Sequence, residues 1–414
     1  MNKIIPAIIL SAQTQSLGVV RALGKQGIPL VVVHYHPCDM AHRSRYVTKS
    51  LAAPNPQQDE SGFLTRILEL ASQWKGALLI PTSDETLLVV ARHKETLARH
   101  FLVACPDYAT ACQVVDKEQT YHLSAAAGVA APQTLMPQSL EDVQSFCDKG
   151  VFPCLLKPVQ SHLFYACFGS KMFFVENPAQ LVDGYKRISE AGLKVVIQEY
   201  IPGGDGGVAN YNCFAVGGKV LMEFTADHIR NAPPWFGSPR VVRSRHIDAL
   251  LEPGQRLMKA MNYTGYACTE FKLDRRDGQY KLLDINGRHN LSTLLAVRCG
   301  INFPWLEYRY HVYGDIPVQQ RFQSGTYWID LVRDITYSLK HYQDEKYALR
   351  DYLRPYLHPH IWAICDWRDP LPFLQRISHF AFSALSKKKG ALRPAKILPE
   401  GEMKILQTLT RYNR

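Results

Sequence analysis

The residue types best suited to chemistry gather on one inferred hairpin. Glu270 lies in an apolar run at 267–273. Asp284 and Asn286 lie in and just beyond a second run at 279–285, and Arg275-Arg276-Asp277-Gly278 joins the two. Side chains two apart on a strand share a face, so Asp284 and Asn286 point the same way. A pairing register that sums to 554 sets Glu270 opposite Asp284 on that face. Three oxygen donors in one place, with phosphates and water completing the shell, suit Mg²⁺. Arg288, two residues on, suits a phosphoryl group. The plainer alternative is a solvated hairpin with unrelated polar residues and a surface arginine.

Three further elements fit the handling of a nucleotide. Lys117 stands in Val115-Asp116-Lys117. Lys157 ends the apolar strand Phe152-Pro153-Cys154-Leu155-Leu156 and precedes Pro158. Burying an ammonium is costly without an anion nearby, which favours a phosphate at Lys157. Farther on, Gln198-Glu199-Tyr200-Ile201 leads an apolar strand into Pro202-Gly203-Gly204-Asp205. Such a hinge exposes backbone N–H and C=O groups that can read an adenine edge, and Asp205 can accept from ribose hydroxyls. Surface charge and an ordinary strand-to-loop transition are the competing readings. Arg230, Arg240, Arg243 and Arg245 lie in a segment expected to be a loop, 226–246. Four guanidiniums there suit an acidic or phosphorylated partner, unless the loop is simply solvated.

The elements that must position these groups change character along the chain. Residues 4–10, 17–25 and 29–34 read strand, helix, strand, a βαβ start that implies a parallel sheet. The intervening loop holds only Gly18 and lacks a dinucleotide fingerprint. The apolar run 77–81 leads into Thr82-Ser83-Asp84-Glu85, where Thr82 and Glu85 fit a capping box and the loop also suits a substrate contact. Helices are expected from Ser139 to Gly150 and from Asn177 to Gly192. Antiparallel β structure follows. Beyond about residue 320 the chain becomes helical, rich in Tyr and Trp, and then basic.

Length and composition set the frame. The 414 residues suit two to four domains, and 46% hydrophobic with 21% charged residues suits a globular chain. No run of about 18 apolar residues suggests a membrane span. The apolar start reads as a first strand rather than a signal peptide. Ten scattered cysteines show no CxxC spacing and read as small buried hydrophobes in a reducing cytosol. Of the net charge of +11, +7 lies in residues 370–414. A near-neutral remainder argues against a nucleic-acid-binding core. In 371–385, Phe373, Leu374, Ile377, Phe380, Ala381 and Leu385 form a helical face, and Lys387-Lys388-Lys389, Arg393 and Lys396 follow. That pattern suits a helix lying on an anionic membrane surface, or one packed on the core with solvated lysines.

The order of these motifs resembles the ATP-grasp superfamily of carboxylate–amine ligases, over about residues 4–310. It is most similar to the D-aspartate-ligase-like and predicted carboligase branch, where Ser44-Arg45-Tyr46 and Ile80 to Glu85 also find places. The resemblance implies an α/β (α+β) fold. Its expected parts are a parallel-sheet domain at 1–115, a two-subdomain ATP-grasp domain at 116–318 (lid 116–193, catalytic part 194–318) and a helical basic extension at 319–414. It implies ATP contacts from Lys117 and Lys157, an adenine hinge at Gln198, Glu199, Tyr200 and Ile201, and a ribose acid at Asp205. Glu270, Asp284 and Asn286 would hold Mg²⁺, with Mn²⁺ as a substitute. Arg288 would meet an acyl-phosphate, and Lys171 with residues 160–170 matches a flap over the phosphates. The activity implied is amide formation from a small or lipid-linked carboxylate and an amine, with ADP and phosphate released, in a cytoplasmic or peripheral inner-membrane setting. An ATP-grasp kinase or carboxylase without an amine acceptor, and a non-catalytic nucleotide binder, are the alternatives. Two departures stand out. The family's Glu-x-Asn-Pro-Arg is here Asp284-Ile285-Asn286-Gly287-Arg288, and the first loop lacks paired glycines.

Overall fold

The computed structural model describes residues 4–159, 161–170, 172–234, 237–341, 345 and 347–389. The chain forms two compact units. One comprises Met1–Val129, Asp205–Phe271 and Asp284–Ser386, and the other is built mainly from Ala130–Gly204 and Lys272–Leu283.

The first unit opens with strands β1 (Ala7–Leu10), β2 (Leu30–His34), β3 (Val47–Ala52), β4 (Leu78–Pro81) and β5 (Leu102–Val103), all parallel in the order β3-β2-β1-β4-β5. The βαβ pattern thus gives the parallel sheet it implies. β1 and β4 are wholly buried, as uninterrupted apolar runs in a parallel sheet must be. Strand order reverses at β1, so the carboxyl ends of β1 and β4 border a topological switch point. The helix after β1 spans Thr14–Gly24. It starts three residues before the expected Leu17 because buried polar groups support its first turn: the Ser16 and Thr82 hydroxyls hydrogen-bond at 2.8 Å. Gly18 serves close packing, since a Cβ there would stand 3.2 Å from the Thr293 Cβ. The helix after β4 (Asp84–Arg92) is capped by Ser83 and Thr86, not by Thr82 and Glu85. Thr82 instead donates to the Leu10 carbonyl and ties β4 to β1.

The second unit carries β6 (Thr134–Leu135), β7 (Cys154–Pro158), β8 (Phe173–Val175) and β9 (Val195–Glu199), antiparallel in the order β6-β9-β7-β8. The helices Leu140–Lys149 and Pro178–Glu190 begin at Ser139 and Asn177, as their cap residues imply. Apolar side chains of these helices pack with the strands around Phe146, Leu156, Leu181 and Ile197.

A seven-stranded sheet has the order β14-β13-β10-β11-β12-β15-β16. Its strands are β10 (Val208–Val216), β11 (Lys219–Ala232), β12 (Ser238–Ser244), β13 (Gly265–Asp274), β14 (Gln279–Asn286), β15 (Tyr327–Ile329) and β16 (His360–Trp362). The hairpin tip of β13 and β14 groups with the second unit.

The segment expected to be an arginine-bearing loop is mostly two paired strands, β11 and β12. Its arginines hold the fold together. Arg230 donates to both Asp334 oxygens, at 2.8 and 2.7 Å, and Arg240 lies 2.9 Å from the same carboxylate and also pairs with Glu345. Arg243 and Arg245 pair with Asp227. These carboxylates occupy the charge that a substrate anion was expected to meet.

The C-terminal region adds β15, β16 and the helices Leu331–Lys340 and Leu349–Leu357. Its Asp369 is fully buried and returns to the N-terminal sheet region. It accepts from Arg21 Nε at 2.9 Å, Ser44 Oγ at 2.8 Å and the Arg45 N–H at 2.8 Å. The helix Leu371–Lys389 follows. Phe373 packs on the core, whereas Leu374, Ile377 and Phe380 of the expected apolar face are exposed. The Ala381 and Leu385 side chains, Arg393 and Lys396 lie outside the described residues. All ten cysteines are free and five are buried, with burial pushing the Cys105, Cys154 and Cys268 thiols up to about 12.

Candidate active site

In the first unit the two carboxylates gather positive charge. Lys117 opens the helix Lys117–Ala126, whose N-cap Asp116 accepts from the Gln119 N–H. Its ammonium lies 3.6 Å from Asp284 Oδ2. The field of Asp284, and to a smaller extent that of Glu270, holds the lysine above its usual pKa. Asp284 Oδ1 accepts from the Ile285 N–H at 3.1 Å. Half the Lys117 side chain is exposed, so this pairing is exchangeable rather than a buried structural bridge.

Arg288 follows β14. Its Nε and Nη2 donate to the two Asp84 oxygens at 2.8 and 3.1 Å. Burial opposes its charge, yet Asp84 and Asp284 together keep the guanidinium above its usual pKa. Asp84 sits at the carboxyl end of β4, so the hairpin's arginine is aimed by the parallel sheet. The sequence offered Asp84 as part of a loop that caps a helix or meets a substrate, and nothing local named its partner 204 positions away. Beside it, Tyr35 donates to Glu85 at 3.0 Å and shares a 2.8 Å hydrogen bond with the Ser83 hydroxyl.

Buried contacts fix the backbone that carries Arg288. His289 meets Glu307 at 2.9 Å and stacks on Tyr266, while Asn290 donates to Asn212 Oδ1 at 2.8 Å. Gly287 explains one departure from the family pattern. A Cβ there would stand 3.0 Å from Val114, 3.1 Å from the Tyr263 hydroxyl and 3.2 Å from Leu87. Close packing therefore accounts for the glycine where the family has proline.

Asp205 opens a short 3₁₀ turn in this unit and is buried. Its carboxylate accepts from the Asn231 N–H at 2.7 Å and from the Asn231 side-chain amide at 3.2 Å.

In the second unit, Lys157 on β7 hydrogen-bonds to Gln198 on β9, and Gln198 donates onward to Thr134 at 3.1 Å. Glu199 is buried between cations: Arg276 pairs with it, and Lys281 lies at 3.5 Å. The same two cations hold Asp274 below its usual carboxylate range, Arg276 contributing most. Sequence reading passed over Arg276 and Lys281, whose only signal was basic residues around the acidic hairpin turn. The Glu199 and Tyr200 N–H groups donate to the Gln133 and Pro153 carbonyls. Tyr200 also faces the Lys272 ammonium, 5.3 Å from its ring centre. Ile201 is buried just beyond β9. Lys171 lies outside the described residues, and 161–168 form a helix.

The donor set suits a hard divalent cation. Glu270 and Asp284 both act on the Lys117 ammonium, and two carboxylates with the Asn286 amide two residues on are the oxygen donor types such an ion takes. Among the described residues no cluster of three or more His, Cys, Asp and Glu side chains competes as a metal site.

No family model matches the chain. It is 26% identical over 256 residues to D-aspartate ligase of Enterococcus faecium, covering 58% of this chain and 61% of that protein. The chain thus matches less than two thirds of that relative's length. Its fold is similar to L-amino acid ligase from Bacillus licheniformis, with TM-score 0.59, 16% identity, and 77% and 78% of the two chains covered. It is also similar to biotin carboxylase from Campylobacter jejuni, with TM-score 0.61, 16% identity and coverage of 77% and 74%. The expected α/β fold is therefore present, and it is the one shared by these ATP-grasp enzymes.

Proposed function

We propose that this ATP-grasp homologue of D-aspartate ligase is an ATP-dependent carboxylate–amine ligase. The observation that carries the reading is Asp284 and Glu270 acting on one lysine, with Arg288 aimed beside them by Asp84. A substrate carboxylate oxygen attacks the γ-phosphorus of ATP and ADP leaves. The amine then attacks the acyl carbon, phosphate leaves, and the nitrogen loses a proton. Glu270, Asp284 and Asn286 would hold Mg²⁺, or Mn²⁺ in its place, which supplies charge neutralisation at the phosphates. Lys117 and Lys157 bind phosphate oxygens, and Arg288 steadies the acyl-phosphate. Gln198, Glu199, Tyr200 and Ile201 read the adenine, and Asp205 takes the ribose. Most of the work is positioning and charge stabilisation.

The test is ADP release over a grid of carboxylates and amines, with D-aspartate included because of the named relative. Release that needs both partners supports a ligase, whereas phosphate release indifferent to amine favours a kinase or carboxylase. Lys157→Ala is expected to weaken ATP binding by roughly tenfold to a hundredfold, the loss of one charge-assisted contact. Calorimetry giving the wild-type affinity would remove Lys157 from the site.

Among the described residues no helix is long and apolar enough to cross a membrane. The exposed Leu374, Ile377 and Phe380, together with the basic tail, support peripheral contact with an anionic membrane and a lipid-linked carboxylate as substrate.

A further inference from the structure

Among the described residues, large apolar side chains stand exposed at 18 positions, and 11 of these fall between Ile335 and Phe380. The clearest stripe is on the helix Leu349–Leu357. Leu349, Leu353 and Leu357 recur every four residues and are 72%, 38% and 81% exposed. The helix Leu331–Lys340 adds Ile335 and Leu339, also four apart and exposed. Both helices turn a different side inward onto one buried ion pair. Asp334 of one binds Arg230. Tyr356 of the other donates to Asp334, and the Tyr352 carbonyl accepts from Arg230. Among the described residues, nothing covers the leucine stripe of a helix whose opposite contacts are already satisfied.

Charge selects the occupant. Arg350 and Arg354 are exposed along one side of the stripe, and Lys340 is exposed beside Leu339. Asp351 is the one acidic residue of the Leu349–Leu357 helix. A second copy of the chain would bring like charges together at this surface. An anionic bilayer attracts them, and long basic side chains can lie over apolar ground while their heads reach lipid phosphates.

We propose that the leucine stripe of Leu349–Leu357, with Ile335 and Leu339, is a membrane-docking surface for anionic lipid. It rests on the peripheral reading above and places the apolar contact on these helices, ahead of the basic tail. Docking here would seat the enzyme at an interface where a lipid-linked carboxylate is presented.

The full chain is tested by flotation with phosphatidylglycerol-containing vesicles and with pure phosphatidylcholine vesicles. Wild type is expected to bind the anionic vesicles in a salt-sensitive way. The combined Leu349→Ser, Leu353→Ser, Leu357→Ser variant is expected to lose binding by about tenfold or more at an unchanged melting temperature. Tail variants Lys387→Ala, Lys388→Ala and Lys389→Ala are expected to retain most of it. Loss in the tail variants alone overturns the stripe and leaves the tail as the contact. Absence of wild-type binding to either vesicle overturns both. A fall in mass by light scattering in the leucine variant, with vesicle binding intact, overturns the proposal and assigns the stripe to contact between copies.

Discussion

Glu270→Gln is expected to lower substrate-dependent ADP release by about a thousandfold, the scale of removing a charge that organises a phosphoryl-transfer site. The change keeps shape and volume and deletes one negative charge. Glu270 is only partly buried, so the melting temperature should stay near that of wild type. Asp284→Asn should fall at least as far. It removes the carboxylate nearest Lys117 as well, so the lysine's elevated pKa should relax downward. Steady-state ADP release and thermal unfolding, measured on the same preparations, separate the two effects. Turnover within a few fold of wild type in both variants would reject the metal assignment.

The largest stability effect is expected at Asp334. Its carboxylate is fully buried, accepts two hydrogen bonds from Arg230, pairs with Arg240 and also accepts from Tyr356. Asp334→Ala leaves two buried guanidiniums short of their shared anion and should cost about 3–5 kcal/mol. Burial raises the Glu345 carboxyl to about 7 against the pull of Arg240, so Glu345 is a poor substitute for the missing charge. Urea unfolding measures the loss directly. A wild-type midpoint would show that the cluster contributes little net stability. Arg230→Met combined with Asp334→Leu should recover much of the loss, because deleting both partners leaves fewer orphaned charges.

Local rules read well where the decisive contacts are local. Ser139 and Asn177 start their helices because a side-chain oxygen three residues from a backbone N–H needs no tertiary help. The buried runs of β1 and β4 are legible for another reason: a strand apolar on both faces suits a covered parallel sheet wherever its partner lies. The arginine segment misled because Arg230 and Arg240, on β11 and β12, take their partners from Asp334 and Glu345, about a hundred residues downstream. No window of sequence around Arg230 contains that information. Asp84 and Arg288 were each visible as chemistry-bearing residues, but their pairing is a property of the fold. Arg276 and Lys281 were missed because charges in a hairpin turn and at the start of the strand beyond it are ordinarily solvent-facing.

The Asp369 contacts bear on how the chain is made. Arg21 and Asp369 are 348 positions apart, and both are buried in the finished molecule. A ribosome adding 5–20 residues per second needs roughly 20–70 seconds to travel that distance. During that interval the strands around β1 can assemble, but a guanidinium intended for the interior still has no counter-ion. The N-terminal sheet of a nascent chain is thus left open until Asp369 has been made, and its closing waits on a segment synthesised long after the strands themselves.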